Sequence, residues 1–290
     1  MNSWERPKDS IFSKKVGLNC RGKLLNMTTP KLMGILNLTP DSFHDGGQLK
    51  SDKAILNQAE TMLSEGADIL DLGGYSSRPG AKEVPLSEEI NRVVPAIDLL
   101  HKAFPEVPLS VDTFRGKVAQ LAIDSGAAII NDISAGTLDD EMIPTVVRNN
   151  VPYVLMHMQG QPATMQKSPE YQNVTRDVIL FLSKKVNDLR LAGVKDLIID
   201  PGFGFGKTLK HNYQLMADLE QFQAFNLPIM VGVSRKSMIN QVLGTSPANA
   251  LNGTTVLHTM ALLNGASILR VHDIKAAKET LKIVQHYQNT

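Results

Sequence analysis

The sequence predicts an α/β protein of the (β/α)8 barrel (TIM barrel) type with a short N-terminal hairpin. Three observations predict it: a helix–glycine–strand junction that occurs four times, apolar runs too continuous for half-exposed strands, and about eight such runs alternating with helices. The junctions are EGADILDLGG (65–74), SGAAIINDIS (125–134), AGVKDLIIDPG (192–202) and NGASILRVHD (264–273). In each, a glycine (Gly66, Gly126, Gly193, Gly265) stands where an amphipathic helix should stop, because a residue without a Cβ enters the left-handed region without strain. The run that follows reads as a strand buried on both faces, as in parallel sheets.

The helices before these glycines carry the matching period. Ile55, Ala59 and Met62 share one face before Gly66, and Val118, Leu121 and Ala122 share one before Gly126. Four further strand candidates lie between the junctions: KLMGILN (31–37), PLSVDT (108–113), PYVLMHM (152–158) and PIMVGVS (228–234). Three of these open on proline, which a strand tolerates at its first residue. Pro95 falls inside the helical pattern Ser87–Leu100 and predicts a kink there. The runner-up fold, an open doubly wound sheet, wants a glycine fingerprint after its first strand. Here that strand runs instead into Asn37-Leu-Thr-Pro-Asp-Ser-Phe. Residues 16–28 read as a hairpin turning at Arg21-Gly22 and covering the barrel bottom.

Bulk properties narrow the function. The 290 residues are 42% hydrophobic and 20% charged, with net charge +1, which excludes the strong field of a nucleic-acid or acidic-membrane binder. One cysteine, Cys20, excludes an internal disulfide, and no zinc-ligand cluster occurs. The N-terminus lacks the apolar core of a signal peptide, and no apolar run is long enough to span a bilayer. The expectation is a cytoplasmic protein with a loose tail over 1–15 and one domain over 16–290.

Nearly every predicted strand ends on residues a core would not choose: Asn37, Gly73-Gly74, Asp112, Asn131, His157, Asp200, Ser234-Arg235-Lys236, and Arg270 with His272. A single polar end means little. Polar ends on nearly every strand, brought to one mouth by a barrel, read as an active site. Asp112, Asn131, Asp200 and Lys236 offer carboxylates, an amide and a cation, which suits a flat heterocycle presenting adjacent N–H groups and a carbonyl. Arg270 and His272 alternate along a strand and point to one side, as a phosphate or diphosphate site would need.

Rival motifs fail. Gly202–Thr208 imitates a Walker loop, but Pro201 stands where the first glycine is required; its glycines are expected to let backbone approach a flat ligand. No strand carries an H-x-H pair for a binuclear metal centre. Val231–Arg235 lacks the final glycine of a nucleophile elbow. His258 and Met260 read as ordinary helix packing, Trp4 as a tail residue, and His211 as the start of a helix.

With those residues in place, the chain resembles the dihydropteroate synthase family of folate biosynthesis. MGILNLTPDSFHDGG (33–47) and DLGGYSSRPG (71–80) match its two opening signatures, and SVDT, IIND, MHMQGQPATMQ, DPGFGFGK, GVSRKS and RVHD follow in family order. The resemblance implies condensation of 6-hydroxymethyl-7,8-dihydropterin diphosphate with 4-aminobenzoate, a Mg2+ cofactor and a homodimer. It implies that Asp112, Asn131, Asp200 and Lys236 hold pterin, that Asn37 helps bind the metal, and that Ser77, Arg270 and His272 hold diphosphate. Phe43, Pro79 and Phe205 would wall the aminobenzoate, with Gly232 and Val271 completing the substrate pocket and Asp112, Lys236, Arg270 and His272 as the catalytic set. The usual GGESTRPG is altered here, with Tyr75 in place of Glu and Ser77 in place of Thr. Two other readings stay open: a methyltransferase-like pterin barrel, which Arg270-Val271-His272 and SRKS argue against, and a catalytically silent paralogue.

Overall fold

The computed structural model describes residues 17–38, 48–75, 83–160, 165 and 169–290. Gly17–Cys20 (β1) and Lys23–Asn26 (β2) pair antiparallel. Their turn places Arg21 at φ 55° and Gly22 at φ 86°, the two left-handed residues that match hairpin twist.

Eight strands follow: β3 (Lys31–Asn37), β4 (Ile69–Gly73), β5 (Leu109–Asp112), β6 (Ile129–Asp132), β7 (Tyr153–Met156), β8 (Leu197–Asp200), β9 (Met230–Val231) and β10 (Ile268–Val271). They form one parallel sheet in the order β8-β7-β6-β5-β4-β3-β10-β9. A parallel bridge between Ile199 and Ile229 joins its two edges, so the sheet closes into a barrel. The seventh barrel strand, β9, is two residues long, shorter than the apolar run 228–234 predicts.

The helices are α1 (Gln48–Glu65), α2 (Leu86–Ala103), α3 (Gly116–Asp124), α4 (Met142–Asn149), α5 (Val174–Leu191), α6 (Leu209–Ala217), α7 (Ser237–Leu243), α8 (Leu251–Leu263) and α9 (Ile274–Gln288). Four end as the junctions predict. Gly66, Gly126, Gly193 and Gly265 have φ of 105°, 122°, 98° and 95°. In each case the next residue's N–H bonds the carbonyl five residues back: Ala67 to Met62, Ala127 to Ala122, Val194 to Leu189, and Ala266 to Ala261. α2 runs through Pro95 without ending; the proline is exposed, so water can satisfy the Asn91 carbonyl it leaves free.

Strand alternation sorts the barrel interior by depth. Met33, Ile69, Ile129, Val154, Ile198, Met230 and Ile268 form an apolar layer, closed from below by Leu18 and Cys20 of the hairpin. Two residues further along the same strands stand Ile35, Asp71, Asn131, Met156, Asp200, Gly232 and Arg270. The period of two that points the first set inward points the second set inward too. The site is this second layer and what lies above it. No helix of the described residues is long and apolar enough to cross a membrane.

Candidate active site

Arg270 organises one half of the mouth. Its Nε donates to Asp71 Oδ2 at 2.6 Å and its Nη2 to Asp112 Oδ2 at 2.6 Å. Asn131 Nδ2 donates to the same Asp71 oxygen at 3.1 Å. Asp71 is wholly buried, while the side chains of Arg270 and Asp112 keep 21% and 19% exposure, so the two upper groups face an opening and the lower one does not. Burial pushes the Asp112 carboxyl up to about 7; Arg270 opposes the rise, and Asp71, Glu89 and Asp132 add to it. Burial pulls the Arg270 guanidinium down, but Asp71 and Asp112 outweigh it and raise its pKa above the ordinary arginine value.

Asp200 and Lys236 form the other half. Asp200 Oδ1 accepts the Gly202 N–H at 2.7 Å. Burial raises this carboxyl, against the pull of Lys236 and of that backbone bond. The Lys236 ammonium donates to the Phe203 carbonyl and lies 4.7 Å from the centre of the Phe205 ring. Burial lowers it to about 8, with Asp200 holding it from falling further. Gly232 lies beside both side chains: a Cβ there would stand 3.9 Å from both Arg270 Cβ and Lys236 Nζ, in ordinary van der Waals contact.

The rim is tied together across strand ends. Ser234 Oγ lies 3.0 Å from His272 Nδ1 and accepts the His272 N–H at 3.2 Å. Arg235, at φ 57°, forms a two-pronged ion pair with Asp273. A non-glycine residue in that region is strained, and the fork to Asp273 secures it. Ser237, the first residue of α7, is exposed.

The predicted residues Asp112, Asn131, Asp200, Lys236, Arg270, Phe205 and Gly232 therefore converge. Asn37 ends β3 opposite Gly73, on the inward parity of Met33 and Ile35. Val271 differs from expectation: its side chain packs in the outer core between sheet and helices, leaving only its peptide group for a ligand. Arg270 and His272 answer to different partners, the acids and Ser234 respectively. Phe43, Ser77 and Pro79 lie outside the described residues.

Other strand-end residues turn out to be structural. His157 packs edge-on against Phe181 at 4.9 Å, and its Nδ1 lies 3.0 Å from Lys207 Nζ. Burial lowers this imidazole to about 3, and Lys207 adds to the fall. Lys207 also donates to the carbonyls of Gly202 (2.9 Å) and Phe205 (3.0 Å), so it latches the 202–207 loop from beneath. The glycines of that loop serve protein contacts more than a ligand. A Cβ on Gly202 would stand 1.9 Å from the His157 carbonyl oxygen, and one on Gly206 2.4 Å from that of Gln159. Only Gly204, 3.3 Å from Lys236 Cδ by the same measure, approaches the site. Met260 also departs from expectation, being 45% exposed while His258 is buried. His211 sits in the first turn of α6, in a capping box with Thr208.

Sequence reasoning missed Asp71, Glu89 and Arg115. Asp71 interrupts the apolar run ILDLG on the inward parity of Gly73, which is the signal that marks it. Glu89, wholly buried in α2, accepts from Thr113 Oγ1 (2.6 Å) and from Arg115 Nη1 (2.7 Å). The Arg115 guanidinium lies 5.5 Å from the Tyr75 ring centre. Tyr75, one of the two departures from the usual signature, thus meets a cation through its ring, with Phe114 edge-on at 5.2 Å.

Chemically, the mouth offers carboxylate and amide acceptors beside two cations: a grip for a flat N–H-rich ring and a counter-charge for a departing anion. A model of the pterin binding enzyme family matches residues 33–272. The chain is 44% identical over 274 residues to dihydropteroate synthase of Haemophilus influenzae, covering 94% of this chain and 99% of the relative. Dihydropteroate synthase of Yersinia pestis, solved as a sulfonamide drug complex, superposes with TM-score 0.88 at 42% identity, covering 94% of this chain and 99% of that one. Its counterpart from Xanthomonas albilineans, solved with 7,8-dihydropteroate, does so with TM-score 0.85 at 37% identity, covering 94% and 99%. The chain belongs to the pterin binding enzyme family.

Proposed function

We infer that this chain is a dihydropteroate synthase, a transferase of folate biosynthesis that joins 6-hydroxymethyl-7,8-dihydropterin diphosphate to 4-aminobenzoate and expels diphosphate. The observation that carries the reading is the convergence of Asp112, Asn131 and Asp200 with Lys236 and Arg270 at one mouth, in a chain so similar to synthases throughout its length.

In this reading Asp200 and Asp112 accept N–H bonds from the pterin, Asn131 adds an amide, and Lys236 donates to a ring acceptor. Arg270 and His272 face the diphosphate, with Ser77 assigned to it as well. The bond between the pterin methylene and the diphosphate oxygen breaks, its electron pair leaving with diphosphate. The electron-rich pterin stabilises the methylene cation, and the arylamine attacks it and releases a proton. Cations placed where negative charge grows lower the barrier. Phe205 walls the aminobenzoate together with Phe43 and Pro79, and Ser237 or the peptide N–H groups that open α7 meet its carboxylate.

Mg2+ fits as an ion that arrives with the diphosphate. Asn37 offers one neutral amide oxygen, and among the described residues no three His, Cys, Asp or Glu side chains gather as a metal group; Mg2+ ordinarily binds with substrate phosphates and keeps several waters. When bound, it supplies further neutralisation of the leaving group.

Residues 16–290 would act as one cytoplasmic unit, paired as a homodimer. Support for pairing comes from α8, where Val256, Met260 and Leu263 share one face and are 45–47% exposed, beside Ile283 (70%) and Tyr287 (67%) of α9. An apolar strip of this kind is normally covered, and a second copy covers it symmetrically. Sedimentation of Met260→Glu as a monomer, against a dimeric parent, checks this.

The deciding experiment incubates the protein with the pterin diphosphate, 4-aminobenzoate and Mg2+, and follows dihydropteroate and diphosphate. Pterin binding without product favours the silent paralogue; methyl transfer from a pterin donor favours the methyltransferase reading.

A further inference from the structure

Asp71 is a charged side chain in the middle of a buried strand, and it touches two site residues at once. Its Oδ2 accepts from Arg270 Nε at 2.6 Å and from Asn131 Nδ2 at 3.1 Å. Its Oδ1 is buried and bonds to no described residue, and the same holds for Ser110 Oγ, its register partner across β4 and β5. A buried carboxylate with one oxygen unpaired is a poor way to stabilise a barrel. Ile35, which pairs with Asp71 on the other side, shows that this depth accepts an apolar side chain.

The bonds suggest what the carboxylate accomplishes. Arg270 divides its donors, with Nε going down to Asp71 and Nη2 across to Asp112. Without the lower acid, a fork-shaped guanidinium would engage one carboxylate through two bonds, and Asp112 is the acid within reach. Both Asp112 oxygens would then be spent on Arg270. Asn131 is constrained in a similar way: with Nδ2 committed to Asp71, its acceptor oxygen is the end left for a ligand. An amide turned the other way would present N–H to a ring that itself presents N–H.

We propose that Asp71 is a positioning residue, which holds Arg270 and Asn131 from below so that Asp112 and the Asn131 carbonyl remain available to the pterin. Asp71 touches no substrate in this arrangement. The proposal rests on the assignment of Arg270 and Asn131 to the substrate site made above.

The test compares wild type, Asp71→Asn, Arg270→Lys and the double variant. Each is followed by thermal unfolding, by calorimetry with the pterin diphosphate, and by steady-state kinetics. Asp71→Asn keeps the shape and removes the charge. It is expected to fold, to weaken pterin diphosphate binding roughly ten- to a hundredfold, the worth of one charge-assisted bond, and to leave the KM for 4-aminobenzoate within about twofold. Arg270→Lys should lose a comparable factor, and the double variant should lose little more than either alone, because coupled residues are not additive. Losses that multiply in the double variant, or unchanged binding in Asp71→Asn, overturn the proposal. Unchanged binding in Arg270→Lys overturns the site assignment instead. A measurement on the wild type covers the case in which Asp71→Asn does not fold. The Arg270 Nε–H resonance, identified by its loss in Arg270→Lys, should exchange slowly with solvent both with and without bound pterin. Fast exchange in the free protein would mean that the bond to Asp71 does not hold the guanidinium, and the proposal would fall.

Discussion

The bottom and the mouth of the barrel are made from the same strands, two residues apart, yet they follow opposite physical rules. At the bottom, Ile69, Ile129, Val154, Ile198 and Ile268 meet Leu18 and Cys20 of the hairpin in a layer with no ionised group. Burial of such side chains contributes roughly 1.5–3 kcal/mol each. At the mouth, Asp71, Asn131, Asp200 and Arg270 occupy the next inward positions, and burial raises the pKa of Asp112 and Asp200 while it lowers that of Lys236. Charged forms held against their own desolvation stabilise a ligand better than they stabilise the fold. The hairpin end secures the barrel, and the loop end uses that security to keep strained charges in place.

The contrast can be broken from either side. The largest effect is expected at the mouth: on the proposed assignment, Asp200→Ala would remove two charge-assisted bonds to pterin, each worth roughly 1.5–3 kcal/mol. Calorimetry should show affinity falling by orders of magnitude while the protein remains folded; equal affinity would separate Asp200 from the ligand. Next comes the bottom. Leu18 is fully buried, and Leu18→Ala should destabilise by about 2–5 kcal/mol with KM unchanged. A KM that shifts with it would mean that the two ends are not independent.

A third measurement uses pH to set the two rules against each other. The folded Asp112 carboxyl stands at about 7, above its ordinary 3.8, with burial as the main cause. Because the folded pKa is raised, its contribution to stability is fully present at pH below about 3.8 and is lost as pH climbs through about 7. On the proposed assignment pterin binding would run the other way, since it would use the ionised acceptor. Affinity for a pterin without diphosphate should therefore weaken as pH falls below about 7, and Asp112→Asn should flatten both dependences. The smallest effect concerns Cys20. Burial, with Asp196 adding to it, pushes this thiol up to about 12, so it should resist alkylation at neutral pH until the protein unfolds. A reactive thiol would show that the bottom layer opens.

Much of this was legible in the chain. The four glycine junctions announced their helix ends because a positive φ is a local requirement, and local requirements leave local marks. Polar residues closing apolar runs marked Asp112, Asn131, Asp200 and Arg270, since a barrel gathers strand ends whatever its loops do. Asp71 was harder to see. It lies inside a run rather than at its end, and only the register Ile35–Asp71–Ser110 and the approach of Arg270 from 199 residues away reveal its purpose. His157 was overrated for the converse reason. It closes a run as the others do, but Phe181 and Lys207, supplied by distant segments, claim its ring.

The sequence by itself determined the repeating strand–helix units, the hairpin turn, the inward parity of each strand and the inventory of charges at the mouth. These follow from backbone sterics and from a period of two, which neighbouring residues impose on one another. Tertiary structure alone decided which group each cation meets. Arg270 divides between Asp71 and Asp112, Lys236 rests against the 203–205 loop, and Lys207 spends its charge on backbone carbonyls. The physical reason is that ion pairing depends on separation in space and on local exclusion of water, and neither is defined until the barrel has closed.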